Sequence, residues 1–552
     1  MASLTPLSGP LGHRRAAHLL RRSSYRYTKA KVDQLAGMTA AQAVTSLLVV
    51  PAPQMAQPVY DNPATTGVDN ITWILPPIPA LPLPAEDFVL RRYVMGWWVN
   101  EALYDPGLSS RMTFFLHQHL IVTAGTYGNA HFFDYLALLR WAALGNFKKL
   151  ATKMVTDNTM LIYLNNQQNT KSNPNENFAR EFFELFTIGK GPQIGPDDYT
   201  NYTEYDIEQA ARVFTGFRVR NQRDQLDPET GIPRGIVSIA QHDTGSKTFS
   251  SKFNGTVIAG ATTANAMWTE LDNFVNMVFA QPEVARNFVR RLYRWFVSRN
   301  ITPEIETDII EPLATVFRTG NYEIMPVVQQ LLQSQHFFDA DDSDNADEIV
   351  GGMIRSPLET TLQMISFFNL TIPSPTANPR GHYENLYSNG ILQRLLLPSG
   401  LPLFFSNDVA GYPAYYQQPE YNRQWFNSST IIPRYKFPQQ LLTGRMSHGS
   451  NPTASIGLQL NIVTWVKNSG FFSDPSDPYA LVQELIKYLL PETIGTDRFD
   501  YFYDDVFLDH LPPADWTYEW QNYLSTGNLT EVKIPLERLL NAIMYSPEFQ
   551  TF

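Results

Sequence analysis

Segments with the hydrophobic period of an α-helix follow one another almost without a break from residue 86 to about residue 190. Apolar residues recur every three to four positions in EDFVLRRYVMGWWVNEALY, SSRMTFFLHQHLIVT and HFFDYLALLRWAALGNFKKLATKMVTD. Short β-like runs, such as GIVSIA and TVIAG, occur between residues 218 and 262. The sequence therefore predicts a mainly α fold: an irregular multi-helix domain with long loops and a small β-hairpin excursion.

Changes in composition divide the 552 residues into four predicted parts. Helical patterns occupy residues 1–50, where Thr28 suits the N-cap of the second of two helices, and prolines too dense for a helix or a central strand predict an extended arm over residues 51–85. A helical core domain is predicted over residues 86–345, and within it Thr203 and Asp206 suit a capping box at the start of a helix. Residues 346–552 are predicted to form a loop-rich helical region that packs on this core, with long loops over residues 371–440.

Composition excludes several kinds of site and partner. The net charge of −11 and the lack of a basic patch do not fit a nucleic-acid-binding protein. The absence of cysteine excludes disulfides, iron–sulfur clusters, cysteine nucleophiles and thiolate zinc sites. No apolar run reaches the ~18 residues of a transmembrane helix, and the N-terminus lacks the pattern of a signal peptide. We therefore expect a cytoplasmic protein, or a periplasmic or extracellular one if an export signal was removed.

The stretch NPNENFAREFFELFTIGKG, residues 173–191, combines a mostly apolar helix with several charges. Asn173 suits the N-cap of this helix, and Gly189 suits the position just after its end. Glu176, Arg180 and Glu184 are spaced i, i+4, i+8, which favours a ladder of ion pairs along the helix. Glu176 also lies three residues after Asn173, as in a capping box.

Two interpretations of these charges stay open. Phenylalanines occupy much of the surface of the helix, so we expect the charges to be mostly buried. They would then pair across helices with neighbours such as Arg212 or one of the histidines His117 and His119. In the structural interpretation the pairs lock helices together, and replacing Arg180 by Met would cost about 3–5 kcal/mol. In the functional interpretation Glu181, Glu184 and Arg180 are catalytic groups that face a cleft.

His117 and His119 alternate within the apolar run FFLHQHLIVT. On a strand both rings would point the same way, which suits a metal ion, whereas on a helix they point about 200° apart. The period of this segment predicts a helix, so a core hydrogen bond is the alternative to a ligand role. His242 and Asp243 of HDTGSKTF could converge on a metal or an anion from a loop, with an Asx-type turn at Asp243 as the alternative.

These elements resemble the motifs of the bacterial "domain of unknown function 1800" family. AAHLLRRSSY resembles the family's "HLLRRATFG" element, FFLHQHL resembles "FWHNHF", and NPNENFAREFFELFTIG resembles "NENYARELLELHTLG", with Phe186 in place of its histidine. Later elements match YDIEQAARVFTGF, HDTGSKTF, ARNFVRRLYRWFVS and SPEFQ. The resemblance extends over nearly the whole chain. It implies an exported bacterial protein with a partner of sulfatase-like fold, but no reaction, because the family's activity is not established.

The first functional hypothesis is a metal-assisted hydrolase or a related enzyme. Carboxylates and imidazoles are ligands for divalent metal ions such as zinc, manganese, iron or calcium. The metal ion would activate a water molecule, and a remaining carboxylate would act as the base. The candidate centre combines the predicted metal ligands His117, His119, His242 and Asp243 with the predicted catalytic residues Glu181, Glu184 and Arg180.

The alternative hypothesis is a non-catalytic binding or assembly protein, exported or on the cell surface. The stretch AGYPAYYQQPEYNRQW is rich in the aromatic residues that anchor proteins and glycans at interfaces. Its partner would be the protein of sulfatase-like fold, a second copy of this chain, or a glycan. The predicted binding residues are Tyr412, Tyr415, Tyr416 and Trp425, unless these loops simply pack on their own helices.

Overall fold

Helices dominate the computed structural model, which describes residues 2–51, 56–62, 64, 67–74, 83–341, 349–406, 408–446 and 453–552. Within those residues the β-structure consists of three two-stranded antiparallel sheets. The predicted mainly α fold with a small hairpin excursion is therefore confirmed. Part of the predicted proline-rich arm, residues 75–82, lies outside the described residues.

Three helices begin the chain: α1 (Gly12–Ser23), α2 (Lys29–Ala36) and α3 (Ala40–Leu47). Thr28 caps α2 by accepting a hydrogen bond from the Lys31 N–H, as the sequence predicts. A single helix was expected after Thr28. Instead Thr39 forms a capping box with Gln42 and starts a separate helix, so the chain turns between α2 and α3.

The long helical region begins with the helices at the centre of the molecule. Nearly every residue of α5 is buried, because apolar and aromatic side chains surround it on all sides. The bounds are α4 (Asp87–Tyr104), α5 (Ser109–His119), α6 (Asn129–Ala142), α7 (Phe147–Met154) and α8 (Asn158–Tyr163), followed by a 3₁₀ turn over Asn166–Gln168.

The helix of the NPNENFARE stretch begins later than the sequence predicts. It consists of α9 (Asn177–Glu181), which continues without a break as a π-helical segment, π1 (Phe182–Phe186). The predicted N-cap at Asn173 is wrong, because this residue closes a tight turn with Thr170. Gly189 has a φ of +73°, as expected for the residue that ends a helix. Segments of π-helix are rare and occur often at functional sites.

The β-hairpins separate two groups of helices. β1 (Gln193–Gly195) pairs with β2 (Asp198–Tyr199), β3 (Phe217–Arg218) with β4 (Ile236–Val237), and β5 (Lys247–Thr248) with β6 (Val257–Ile258). The predicted capping box of Thr203 and Asp206 starts α10. The helices of this part are α10 (Glu204–Val213), α11 (Ala264–Phe279), α12 (Pro282–Phe296), α13 (Pro303–Ile305), π2 (Glu306–Ile310), α14 (Glu311–Thr319) and α15 (Ile324–Leu332). Short 3₁₀ turns cover Ile239–Gln241, Ser251–Phe253 and His336–Phe338.

The C-terminal region contains more helix than predicted. Residues 371–440 were expected to be long loops, yet π3 (Arg380–Leu396) and α18 (Ile431–Thr443) lie in or across that range. Buried leucines of π3 and Pro438 inside α18 show that packing overrides the local composition here. The other helices are α16 (Pro357–Phe367), α17 (Pro413–Tyr416), α19 (Ile462–Asn468), α20 (Pro478–Leu489), α21 (Thr496–Asp500), π4 (Tyr501–Leu508), α22 (Pro513–Thr526) and α23 (Thr530–Tyr545), with 3₁₀ turns at Tyr421–Trp425 and Glu548–Gln550.

One continuous cluster of buried apolar side chains extends from Leu7 to Phe549. Buried arginines connect distant parts of the chain within it: Arg21 Nη2 donates to the Tyr488 carbonyl at 2.6 Å, and Arg22 Nη1 donates to the Phe296 carbonyl at 2.8 Å. The division into four parts stays a prediction. Among the described residues, no helix combines the length and the apolar character needed to cross a membrane.

Candidate functional site

A cavity of about 260 Å³ lies between α5, α12 and the loop over residues 410–425. Its walls combine arginines, aromatic rings and a few uncharged polar groups. The residues of α5 and α12 that line it are Arg111, Phe115, Gln118, His119, Asn287, Arg291, Arg294 and Trp295, and those of the loop include Tyr415, Tyr416, Tyr421, Asn422 and Trp425. The cavity therefore joins the predicted histidine helix to the predicted tyrosine-rich loop.

Three of the four predicted binding residues line this cavity: Tyr415, Tyr416 and Trp425. The fourth, Tyr412, is buried behind the wall, where its N–H donates to Gln118 Oε1 at 3.3 Å. The Tyr415 ring packs on the Trp295 ring, with centroids 5.0 Å apart. The loop therefore packs on its own helices and encloses an internal site, which differs from the exposed docking surface that the sequence suggested.

Four arginines and one carboxylate are the charged groups of the described cavity wall. Arg111 forms a buried ion pair with that carboxylate, Glu359, and its guanidinium lies 4.6 Å from the Trp295 ring centroid. No carboxylate of the described residues lies within 4 Å of the other three guanidinium groups, which belong to Arg291, Arg294 and Arg299. None of the three therefore forms an ion pair with a described carboxylate, although the more distant charges of Glu306 and Glu420 act favourably on Arg294 and Arg299.

Two adjacent arginines of α12 illustrate the difference between a paired and an unpaired guanidinium. Arg290 donates to Glu283 and Glu306, and these two pairs outweigh burial and raise the pKa of its guanidinium. Arg291, the next residue, lines the cavity, and burial together with the nearby Arg294 charge lowers the pKa of its guanidinium to about 10. A group whose charged form is disfavoured is one that an anion would stabilise.

His119 positions Arg291. Burial and the Arg291 charge lower the pKa of His119 well below its usual value, so the ring is neutral. Its Nε2–H donates to the Phe186 carbonyl at 2.9 Å, and its Nδ1 accepts from Arg291 Nη1 at 3.3 Å. Both ring nitrogens are therefore engaged, and His119 connects the π1 segment to the cavity wall rather than offering a free lone pair.

Four buried polar atoms on residues of the wall have no hydrogen-bond partner within the described part of the chain. They are Gln118 Nε2, Trp295 Nε1, Tyr415 Oη and Asn422 Oδ1. The side chains of Gln118, Trp295 and Asn422 are more than nine-tenths buried. All four atoms are closed to solvent, so they are unsatisfied groups within the wall itself.

The predicted catalytic residues Arg180 and Glu184 form an ion-pair network on the surface of α9 and π1. Arg180 donates both ends of its guanidinium to Glu204 of α10, at 2.8 and 2.7 Å, and Glu184 accepts from the Tyr202 hydroxyl at 2.6 Å. Arg180 is 32% exposed and Glu184 19% exposed. Both side chains are only partly exposed, and Arg180 pairs across helices as expected, although its partner is Glu204 and not Arg212.

Glu181 differs from its neighbours, because no hydrogen bond or ion pair joins its carboxylate to another described residue. Burial and the adjacent Glu184 charge raise the pKa of Glu181 to about 7, although Arg180 opposes the shift. The Asp408 charge also raises this pKa. Tyr416, which donates to Asp408 at 2.5 Å, and Leu185, one helical turn from Glu181, both line the cavity. Glu181 itself does not line the cavity, and it is related to the wall only through these two neighbours.

His117 lies on the other side of α5 from His119, as the helical period predicts. Its Nδ1–H donates at 2.9 Å to the Tyr135 hydroxyl, which itself donates to the Leu120 carbonyl. Burial among aromatic rings lowers the pKa of His117 to about 3. The ring is thus a neutral part of the core, and it does not line the cavity.

His242 and Asp243 belong to a separate, fully paired cluster. Glu270 accepts from His242 Nε2 at 2.9 Å and forms an ion pair with Lys247 Nζ at 2.6 Å, and all three side chains are buried. Asp243 is bound by Arg212, which is therefore not the partner of the α9 charges, and it forms the predicted Asx turn with the Gly245 N–H at 2.8 Å. This cluster ties the β5–β6 hairpin to α10 and α11.

The predicted metal ligands His117, His119, His242 and Asp243 are not brought together. Among the described residues, the one group of three or more such side chains with metal-ligand spacing is Asp504, Asp505 and His510. All three are exposed, and none lines the cavity.

Sequence reasoning missed the arginines of the cavity and Asn422. A signal was present in ARNFVRRLYRWFVS, where Arg291 and Arg294 lie three residues apart on one face of a helix and Trp295 follows. Arg290 and Glu283 of the same helix made the whole segment resemble an ordinary amphipathic surface. Asn422 gave no signal, because it is one of several polar residues in a loop.

Comparison with known proteins gives one match. A family described as "Protein of unknown function (DUF1800)" matches residues 18–551 of the chain. No curated protein and no solved structure matches it.

Proposed function

The chain belongs to the DUF1800 family of proteins of unknown function, and we propose that it binds a small anionic ligand in the cavity between α5, α12 and the loop over residues 410–425. The observation that supports this proposal is the charge of the wall. Arg291, Arg294 and Arg299 line the cavity, and no described carboxylate lies within 4 Å of them. Partly buried cations are costly unless they are paired, so a bound anion would supply the missing partner.

The arginines are held in place before any ligand arrives. His119 accepts from Arg291, while the guanidinium of Arg294 lies 5.2 Å from the Tyr421 ring centroid, and its Nε donates to the Arg299 carbonyl at 3.4 Å. A planar guanidinium binds a carboxylate, phosphate or sulfate through two parallel hydrogen bonds. The chain as a whole carries a net charge of −11, so the wall of this cavity is a local region of positive charge in an acidic protein.

The test is thermal unfolding in sodium sulfate and sodium phosphate, with the ionic strength held constant by sodium chloride. The wild type is compared with an Arg291→Met/Arg294→Met variant and with Arg15→Met, which removes one positive charge from an exposed position of α1. Both anions also stabilise proteins non-specifically, so the readout is the difference between the proteins. We expect the wild type and Arg15→Met to gain more than the double variant. Equal gains in all three proteins would contradict the proposal.

A second candidate function, an acid–base enzyme acting on an anionic substrate, is favoured by Glu181. Its pKa of about 7 suits a group that gives and takes protons near neutral pH. Glu181 lies one turn from Leu185 of the cavity wall. We propose it as the proton donor or acceptor for a hydrolysis beside the cavity. The metal-assisted form of this hypothesis, the exported location and the partner of sulfatase-like fold stay predictions.

This second candidate is tested with p-nitrophenyl phosphate, p-nitrophenyl sulfate and p-nitrophenyl glucuronide. Turnover of one of them should be lost in Glu181→Gln, while the stabilisation by sulfate is retained. Glu184→Gln is the matched control, because Glu184 belongs to the ion-pair network with Tyr202 and Lys190. Absence of turnover in the wild type, or equal turnover in Glu181→Gln, would contradict the enzymatic function and leave only the proposed binding function.

A further inference from the structure

The guanidinium groups of the cavity are open to a ligand, in contrast to the unsatisfied atoms within the wall. Arg291 and Arg299 are both half-buried and both line the cavity. Apart from the contact of Arg291 Nη1 with His119, their guanidinium nitrogens donate to no described residue, and none of them belongs to the unpaired atoms that are closed to solvent. Both groups can therefore donate hydrogen bonds to a molecule that enters the cavity.

The cations of this region form two pairs. The inner pair is Arg291 and Arg294, three residues apart on one face of α12, and burial together with the Arg294 charge lowers the pKa of Arg291. The outer pair is Arg299, which follows the end of α12, and the exposed Arg423 of the loop over residues 410–425. Burial together with the Arg423 charge lowers the pKa of Arg299. Each pair brings two like charges together, so an anion bound between them would stabilise both.

The two pairs are adjacent to each other. Arg294 Nε of the inner pair donates to the Arg299 carbonyl at 3.4 Å, and the Arg299 side chain lines the same cavity as the inner pair. Arg423 directly follows Asn422 of the cavity wall. Two anionic groups of one small molecule can therefore reach both pairs, and the second group then binds at a high effective concentration.

The carboxylates near these pairs do not remove the excess of positive charge. At Arg294 the favourable charge of Glu306 is opposed by that of Arg290, which itself forms an ion pair with Glu306. At Arg299 the favourable charge of Glu420 is opposed by the other member of the outer pair. A ligand with a single anionic group would therefore leave one pair of cations without an anion.

We propose that the ligand of this cavity is a small molecule with two anionic groups, one bound by the inner pair and the other by the outer pair. This inference rests on the proposed anion binding, and it adds the second anionic group and its position. Each group is a phosphate, a sulfate or sulfonate, or a carboxylate, because a guanidinium donates two parallel hydrogen bonds to any of these.

The test is isothermal titration calorimetry of the full chain at pH 7 and constant ionic strength. The probes form series that differ in the number of anionic groups: methanesulfonate against ethane-1,2-disulfonate and propane-1,3-disulfonate, acetate against succinate and glutarate, and phosphate against pyrophosphate. In at least one series we expect the two-group probe to bind about tenfold more tightly than the one-group probe, or better. The series with the largest gain identifies the anionic group.

Variants of the outer pair separate a second binding position from the effect of ligand charge alone. Arg299→Met/Arg423→Met should abolish the gain of the two-group probes, while the affinity for one-group probes, which still have the inner pair, stays within about twofold. The control is Arg15→Met/Arg92→Met, which removes two positive charges from exposed positions and should keep the gain. If the first variant fails to fold, Arg423→Met tests the outer pair alone, because this side chain is exposed, and it should reduce the gain.

The outcomes separate this inference from the proposed function. One-group probes that bind as tightly as the two-group probes in every series would overturn the inference and leave anion binding standing. A gain that is fully retained in Arg299→Met/Arg423→Met would also overturn it, because the gain would then come from ligand charge and not from a second position. No binding of any probe would overturn both.

Discussion

Two groups of buried charges in this molecule have opposite organisation. In the first, Glu270 binds both Lys247 and His242, and every member has a partner supplied by the protein. In the second, Arg291, Arg294 and Arg299 line a cavity without a described carboxylate in reach. Both groups lie in motifs that the sequence singled out or aligned with the family. Both groups thus contain basic side chains, and they differ in whether the protein supplies a carboxylate that pairs with them.

The difference explains why the first group is structural and the second a candidate site. A buried charge that is paired and hydrogen-bonded fixes the elements that carry it, here the β5–β6 hairpin and α11. A cation that faces a cavity without a partner is retained at a cost to stability, and such groups accumulate where a ligand binds. The comparison therefore turns on free energies of unfolding that can be measured separately in each group.

The largest effect is expected from breaking the paired group with Glu270→Gln. The neutral glutamine amide cannot compensate the charge of Lys247. Because Glu270 also accepts a hydrogen bond from the Ala261 N–H, the NH₂ group of the glutamine would face another hydrogen-bond donor. We expect a loss of about 3–5 kcal/mol in the free energy of unfolding, measured by urea denaturation. Glu537→Gln, which breaks the exposed pair with Lys533, is the control and should cost less than about 1 kcal/mol. A cost below about 1 kcal/mol for Glu270→Gln would contradict the comparison, because the buried pair would then stabilise the fold no more than an exposed pair does.

The helical content of this fold could be predicted, because apolar periodicity and capping residues act locally. Thr28 and the Thr203–Asp206 box mark the starts of α2 and α10 in the sequence itself. Asn173 was a false start, because Asn169 and Thr170 draw the neighbouring backbone into a turn, and that contact is not visible in the residue order. The helices within residues 371–440 were hidden for a similar reason: π3 is stabilised by packing on α4 and α16, and α18 by packing on α23.

The candidate site could be predicted only in part. The tyrosine-rich loop and His119 were found from their residue types, and the structure places Tyr415, Tyr416, Trp425 and His119 on the cavity. The arginines were missed because a guanidinium on a helix has the same sequence pattern whether it is paired or free. Arg290 and Arg291 are adjacent, yet Glu283 and Glu306 pair with the first alone. Pairing is a property of the tertiary structure.

The next effect concerns Glu181, whose carboxylate has no hydrogen bond or ion pair among the described residues. Its pKa rises from the ordinary 4.5 to about 7 on folding. Between these values the folded state holds a proton that the unfolded state has lost, so stability falls as the pH rises from about 4.5 to 7 and is level above that. We expect Glu181→Gln to remove at most about 2 kcal/mol of this fall, allowing for solvent screening. Urea midpoints at pH 5 and pH 8 measure it, and an unchanged pH dependence in the variant would show that Glu181 titrates normally.

A smaller effect is expected for Arg180→Met. The burial that the sequence predicts for the α9 charges implies a cost of about 3–5 kcal/mol. The structure shows Arg180 and its partners Glu204 and Glu176 to be 24–44% exposed, so water replaces much of what the pair supplies. We therefore expect a cost of about 1 kcal/mol, reduced further at high salt. If the free energy of unfolding instead fell by several kcal/mol at any salt concentration, Arg180 and its partners would behave as buried ion pairs.

The smallest effect on stability is expected where the charge has no partner. Arg291→Met removes a cation whose pKa burial already lowers, and it leaves no carboxylate behind, although the hydrogen bond to His119 Nδ1 disappears with the guanidinium. The free energy of unfolding without ligand should therefore change by less than about 1 kcal/mol, or rise, because an uncompensated charge leaves the interior. Stabilisation by sulfate should fall in the same variant. The matched control is Arg290→Met on the same helix, which removes the partner of Glu306 and one of the two partners of Glu283, and should be the more destabilising of the two. Equal destabilisation by both substitutions would mean that Arg291 is as structural as its neighbour, and that the cavity charges do not await a ligand.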